Sequence, residues 1–464
     1  MKLIVVSNRL PITVSEDDNG FKYKKTSGGL VTGIEGLSKH ISFVWMGNIS
    51  GIPLTEENKA TITKDCWEKF HSVPVFISPE TNDRCYNGFC NAILWPTIHS
   101  FPDDVCFDFS DYEAYKKYNS IFAKKILESS DDDDIIWVHD YHLMLVPEIL
   151  RREKPSLKIM FFLHTAFCEF DLLSPLMCRK EIIQSISQCD VMGFHVPDYA
   201  LNFREAAERE GIDVGNKIRA IPIGIDPELF RNCLKEEETI KKIKEFKKRF
   251  AGKRIILGVD RTDYIKGLPY KMKGFQRLLA RNPDLIDKVV LLQIAIPSRQ
   301  DVKEYASYTT KMSEIVSKTN GMIGSIESTP VHFLFNSVSL NELCAIYSVS
   351  DMILITSMAD GMNLVALEYV ACQDENHGLV ILSQFAGASA TLQGCIEHNP
   401  SNTEEIAEAL EQGLKLTKEE RKKNHEMNRR NVDMFTSLKW AEDNLEQVCK
   451  DWRKAISIQK DENK

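Results

Sequence analysis

Short apolar runs alternate with amphipathic stretches along almost the whole chain, and this alternation limits the fold more than any single motif does. LIVVSN (3–8), FVWMGN (43–48), VPVFIS (73–78), IIWVHD (135–140), KIMFFLH (158–164), VMGFHV (191–196) and IRAIPIG (218–224) read as strands. Several are apolar at consecutive positions, as strands covered on both faces of a parallel sheet are. Between them lie helical patterns such as YEAYKKYNSIFAKKILES at 112–129. Near 254 the pattern restarts with RIILGVD, KVVLLQIAI, VHFLF, DMILITS and GLVILSQ. Two such arrays in series predict an α/β protein of two doubly wound domains facing one another, and 464 residues exceed what one core usually serves. IPIGIDPELF ends the first array, and EEETIKKIKEFKKRF leads into the second through 225–253. The expected domains are therefore 1–230 and 231–435. The tail 436–464 is expected to form a helix that packs back toward the first, with Trp440 and Trp452 available for packing.

Composition narrows the function by exclusion. The net charge of −9 gives no basic footprint for nucleic acid, although a few cations in a cleft can still hold a small anion. No apolar run is long enough to cross a bilayer, and Met1 leads directly into strand-like sequence without the features of a signal peptide. Twelve scattered cysteines without a CxxC pair suit a reduced protein, so the cytoplasm is the expected location. SSDDDD at 129–134 contains an Asp-x-Asp, but four acids before a buried strand read as a polar loop and not as a metal site.

The chemistry-bearing residues cluster just after strands, at the sheet edge where open α/β sheets bind ligands. In DGMNLVALEYVA (360–371) Asp360 and Asn363 stand in a strand-to-helix turn. Glu368 stands one turn into the helix, suited to paired hydrogen bonds with ribose hydroxyls. In VDRTDYIKGL (259–268) Arg261 and Lys266 place two cations at one mouth, enough to neutralise a diphosphate. Arg9 leaves the first strand, Gly28 and Gly29 allow close backbone approach, and Arg299 follows QIAIPS as a phosphate clamp. Asp140 lies beside His139 and His142, and His164 ends the next strand; these suit sugar hydroxyls. Tyr86 and Trp95 supply aromatic surface for a sugar site or for the core. Neither GxGxxG nor GxxxxGK[ST] occurs.

Taken together, SNRLP, SGGL, YNGFCNAILWP, WVHDYHLML, GFHVPDYALNF, IPIGIDP, DRTDYIKGL, DGMNLVALEYVA and SQFAGA resemble the trehalose-6-phosphate synthases across nearly the whole chain. These are retaining glycosyltransferases of the two-domain GT-B fold. The resemblance implies transfer of glucose from UDP-glucose to glucose 6-phosphate, without a cofactor or metal. It implies that Arg9, Tyr86, Trp95, Asp140 and Arg299 hold the acceptor. Gly28, Gly29, His164, Arg261, Lys266, Val338, Leu343, the run Asp360, Gly361, Met362, Asn363, Leu364 and Val365, and Glu368 would hold the donor. Arg261, Lys266, Asp140, His164 and Asp360 would carry the reaction. The chain reads HTAFCEF where the family has HIPFP, Leu367 where a basic residue is common, and Gln384 where glutamate is usual. Two other readings stay open: a transferase using glycerol phosphate, and a non-catalytic subunit, which would be expected to have lost Arg261, Lys266 or Glu368. A phosphatase for the product is expected on another protein, and homo-oligomerisation is left open.

Overall fold

Leu3–Arg9 (β1) is buried along all but its last two residues, as the continuous apolar run requires. The computed structural model describes residues 1–17, 20–26, 31, 34, 41–102, 105–298, 303–325 and 328–457. They fall into two compact units, Met1–Ile223 with Ser437–Lys464, and Gly224–Thr436.

In the first unit an antiparallel hairpin follows β1, its first strand β2 (Ile12–Asp17) burying Ile12 and Val14 and its second, β3 (Gly20–Lys25), largely exposed. Then come β4 (Val44–Ile49), β5 (Ser72–Phe76), β6 (Ile135–His139), β7 (Lys158–Phe162), β8 (Val191–Phe194) and β9 (Ile218–Ala220). The sheet runs β5-β4-β1-β6-β7-β8-β9, with every pair parallel. The chain thus builds to one side of β1 and then returns to its other side at β6. That reversal opens a crevice at the carboxyl ends of β1 and β6. The Phe109–Ser129 helix covers part of this sheet; Asp108 caps it by accepting the amides of Ser110 and Asp111. Its buried Tyr115, Tyr118, Phe122 and Ile126 recur at three- and four-residue spacing.

The second unit repeats the plan with β10 (Arg254–Arg261), β11 (Val289–Ile296), β12 (Val331–Leu334), β13 (Met352–Ile355), β14 (Leu379–Ser383) and β15 (Ile396–His398). The parallel order β12-β11-β10-β13-β14-β15 puts its reversal between β10 and β13. Met272, Phe275, Leu278 and Leu279 of the Leu268–Arg281 helix fill the core against Leu291, Leu354 and Ile381. Each such side chain contributes about 1.5–3 kcal/mol on burial.

The Ser437–Val448 helix belongs to the first unit. Its Trp440 is 1 % exposed and packs on Trp137, with ring centroids 4.8 Å apart, and edge-on against Phe162 at 5.0 Å. Among the described residues no helix is long and apolar enough to cross a membrane.

Candidate active site

Arg9 ends β1, where the register against β4 shifts between Val6 and Arg9. A side chain at Gly47 of β4 would strike the Arg9 and Leu10 backbone, so glycine permits this close approach. The Arg9 guanidinium lies 4.5 Å above the Tyr86 ring centroid. Tyr86 stacks nearly parallel on His142 at 5.7 Å, His142 lies 3.9 Å from Tyr141, and Tyr141 lies 5.5 Å from Trp95. Tyr86 is thus the partly exposed end of an aromatic stack, whereas Trp95 is its buried base, 5 % exposed. Tyr86 owes its direction to a π-helical turn, Arg84–Leu94, in which Asn91 donates to the Tyr86 carbonyl at 2.7 Å. Gly88 in that turn lies against the Asp111 carboxylate and leaves no room for a side chain.

Asp140 follows β6 with φ 73° and ψ 170°, a conformation that side chains other than glycine rarely adopt. Its Oδ1 accepts the His164 backbone N–H at 3.2 Å, and its Oδ2 lies 3.8 Å from His142 Nδ1. The His164 ring meets His139 at 3.0 Å, Nε2 to Nδ1, and faces His195 edge-on at 5.4 Å. Burial holds His139 at about 3, and burial with two neighbouring imidazoles holds His164 well below its ordinary value. Both rings are therefore neutral at neutral pH. The segment Thr165–Cys168, where the chain departs from the family pattern, is buried.

In the second unit Arg261 ends β10, 40 % exposed at its side chain, with Nη2 3.6 Å from the buried Asp263 carboxylate. A single 3₁₀ turn, Tyr264–Lys266, then brings Lys266 back to the same edge. Gly267 takes φ 64° directly against the Thr356 carbonyl, a place only glycine fits. Lys266 Nζ donates to Asp360 Oδ2 at 2.6 Å, an oxygen that also accepts from Asn363 at 2.9 Å and Ser357 at 3.1 Å. Burial would push the Asp360 carboxyl up, but Lys266 and the hydrogen bonds outweigh it and hold the group below its usual range.

Asn363, at φ 73°, caps the Leu364–Ala371 helix by accepting the Ala366 amide. Gly361 and Met362 are buried, and their turn is clamped by Gly387 N–H to the Asp360 carbonyl and Ala388 N–H to that of Met362. Leu364 and Val365 begin the helix, partly exposed. Glu368 accepts from Tyr347 at 2.9 Å; burial raises its carboxyl above the ordinary value, with the Tyr347 bond opposing. Tyr347 stands one turn beyond Leu343 on the Leu340–Val349 helix, so this bond ties Leu343 to Glu368. Val338 precedes that helix among the exposed apolar Leu334, Phe335 and Leu340. Leu367 is buried and Gln384 is exposed.

The structure thus gathers Arg9, Tyr86, Asp140 and His164 in one unit, with Trp95 beneath them. In the other it gathers Arg261, Lys266, Asp360, Asn363 and Glu368. Gly28, Gly29 and Arg299 lie outside the described residues. Among the described residues no three His, Cys, Asp or Glu side chains gather as a metal site requires. Sequence reasoning missed Gly47, Gly88, Ser357, Tyr347 and His195; each acts through tertiary contact, which spacing does not report.

Residues 1–450 match the family model described as Glycosyltransferase family 20. The chain is 56 % identical over 459 residues to a UDP-forming α,α-trehalose-phosphate synthase of Encephalitozoon cuniculi, covering 99 % of this chain and 100 % of that one. It is similar to an Escherichia coli structure bound with UDP-2-fluoro glucose, with a TM-score of 0.87, 29 % identity and coverage of 97 % of this chain and 99 % of that one. It is likewise similar to a UDP-forming α,α-trehalose-phosphate synthase of Burkholderia xenovorans in complex with glucose-6-phosphate, with a TM-score of 0.85, 28 % identity and coverage of 97 % and 100 %. With two doubly wound units and this match over nearly all its length, the chain belongs to glycosyltransferase family 20.

Proposed function

We infer that the chain transfers glucose from UDP-glucose to the anomeric hydroxyl of glucose 6-phosphate with retention, releasing trehalose 6-phosphate and UDP. The observation that carries this reading is the pairing of Lys266 with Asp360 at the reversal point of the second sheet, beside Arg261. A diphosphate seated there meets two cations that are already oriented. Glu368 then suits the ribose hydroxyls, and the apolar Val338 and Leu343 region suits the uracil ring. In the first unit Arg9 and Tyr86 suit the phosphate end of the acceptor, with Trp95 supporting the stack from below. Asp140 suits the acceptor's hydroxyls and His164 those of the donor glucose.

In the reaction the bond from C1 to the phosphate oxygen breaks and its electron pair leaves with UDP. The acceptor oxygen bonds to C1 on the same face, and its proton passes to the departing phosphate oxygen. The matched motifs identify no pair of carboxylates as nucleophile and acid/base, which favours this front-face route over a double displacement. Arg261 and Lys266 stabilise the charge that grows on UDP, and no metal enters the scheme. The proposal extends to a reducing, cytoplasmic setting, supported by the absence of any disulfide among the described residues, which include all twelve cysteines. It also assigns removal of the product's phosphate to a separate phosphatase.

The test is to supply the purified chain with UDP-glucose and glucose 6-phosphate and to quantify trehalose 6-phosphate and UDP. Glycerol phosphate as acceptor and other nucleotide-glucose donors run in parallel. Product formed only with glycerol phosphate, or no product with any pair, would overturn the reading.

A further inference from the structure

His139 precedes Asp140, is wholly buried, and makes a hydrogen bond of 3.0 Å from its Nδ1 to His164 Nε2. Two neutral imidazoles at that distance share one proton, so one ring donates and the other accepts. If His164 donates, His139 must carry its own proton on Nε2. That atom is buried, meets no hydrogen-bond partner among the described residues, and belongs to a ring packed beside Trp137 and Trp440. A buried N–H without an acceptor is a rarer and costlier defect than a buried lone pair without a donor. The balance favours the proton on His139 Nδ1.

We propose that His139 is a positioning residue: it donates Nδ1–H to His164 Nε2 and locks His164 in the tautomer that offers its own Nδ1–H to a sugar hydroxyl. A free neutral imidazole prefers the proton on Nε2, so the lock reverses the default form of His164. The assignment of that hydroxyl to the donor glucose rests on the function proposed above; the lock itself does not.

The test uses the full chain labelled with ¹⁵N-histidine, with His164 assigned by comparison with His164→Gln. Long-range ¹H–¹⁵N spectra distinguish the protonated ring nitrogen from the bare one. The expected result is Nδ1–H on His164 in the unliganded protein. His139→Leu should return it to Nε2–H. His139→Asn, whose amide can place an N–H where Nδ1 stood, should keep the lock. In steady-state assays His139→Leu should raise the KM for UDP-glucose about tenfold, as loss of one oriented hydrogen bond does, while the KM for glucose 6-phosphate and the His139→Asn values stay near wild type. Nε2–H on His164 in the unsubstituted protein overturns the proposal, as does Nδ1–H that persists in His139→Leu; the first outcome decides even if a variant fails to fold. If the lock is observed but His164→Gln leaves the KM for UDP-glucose unchanged, the donor-sugar assignment fails and the lock stands.

Discussion

The two units carry contrasting chemistry at the carboxyl ends of their sheets. The first unit offers mainly uncharged surface, a stack of aromatic rings ending in Tyr86 and histidines that burial keeps neutral, with the Arg9 cation over the stack and the Asp140 carboxylate beside it. The second offers ions: Arg261 beside Asp263, Lys266 on Asp360, and behind them Lys271 paired with Asp260 in full burial. Neutral hydrogen bonds and ring faces discriminate among sugars without favouring either charge. Fixed cations matter where charge appears during reaction, on the departing diphosphate. In the proposed mechanism a protonated histidine against a developing oxocarbenium-like centre would oppose the reaction, and burial with the neighbouring imidazoles keeps His164 neutral.

The comparison breaks first on rate. Arg261→Ala with Lys266→Ala removes the two cations proposed to stabilise the leaving group, and kcat should fall by about 10³-fold or more. Tyr86→Ala in the neutral half should instead raise the KM for glucose 6-phosphate about tenfold with a much smaller change in kcat. Steady-state kinetics with each substrate varied in turn read both. If kcat with the double variant stays within about tenfold of wild type, charge stabilisation is not what the second unit contributes.

A middle-sized effect concerns backbone strain, which the two halves also carry differently. Asp140 sits at φ 73°, ψ 170°, in a region left almost entirely to glycine, whereas Asn363 at φ 73°, ψ 77° is in the left-handed region that asparagine tolerates. Alanine and glycine at position 140 both lack the carboxylate, so their difference reports the strain less the larger unfolded-state entropy of glycine. Asp140→Gly should be more stable than Asp140→Ala by about 1–2 kcal/mol, and both should lose acceptor binding. The same pair at Asn363 should differ by less. Denaturant unfolding measures all four; an alanine variant as stable as the glycine variant at 140 would mean that the strain is not stored there.

Much of this was legible beforehand, for a physical reason. Buried parallel strands are apolar on consecutive positions, so β1, β6, β7, β10, β13 and β14 announce themselves, and residues just beyond them fall on the ligand edge. The β2–β3 hairpin was not legible because its outer strand is exposed and nearly polar. Nor was the π-helical turn at Arg84–Leu94, where the Asn91 side chain donates to the Tyr86 carbonyl and Gly88 meets Asp111. Trp95 shows the limit of residue type: aromatic chemistry left a sugar site and the core both open, and only the fold shows it buried as the base of the stack. Ser357 and Tyr347 are ordinary residues in sequence, and only the turn and the helix pairing bring them to Asp360 and Glu368.

The smallest expected effect sets two acids of one helix start against each other. Asp360 is held below its ordinary value, so it contributes stability above the unfolded pKa of about 3.9 and loses it as pH falls through the folded value. Glu368 is raised, and the sign reverses. Its stability is greatest below the unfolded pKa of about 4.3, where the carboxyl is neutral in both states, and is lost as pH rises through the folded value. At neutral pH the ionised Glu368 therefore costs stability, as binding groups often do. Glu368→Gln keeps an acceptor for Tyr347 and removes a partly buried charge, so Tm should rise by roughly 2–4 °C at pH 7, the equivalent of about 1 kcal/mol in a unit of this size. The gain should shrink toward zero as pH falls below about 4, because protonated glutamic acid and glutamine then impose similar demands. On the proposed reading the same substitution should weaken UDP-glucose binding, since an amide donor replaces a carboxylate oxygen that could accept from the ribose. Thermal scans from pH 7 down to pH 4, paired with a KM for UDP-glucose, test both parts. A variant that melts below wild type at pH 7, or whose advantage does not fade in acid, would show that Glu368 is held for stability and not for its ligand.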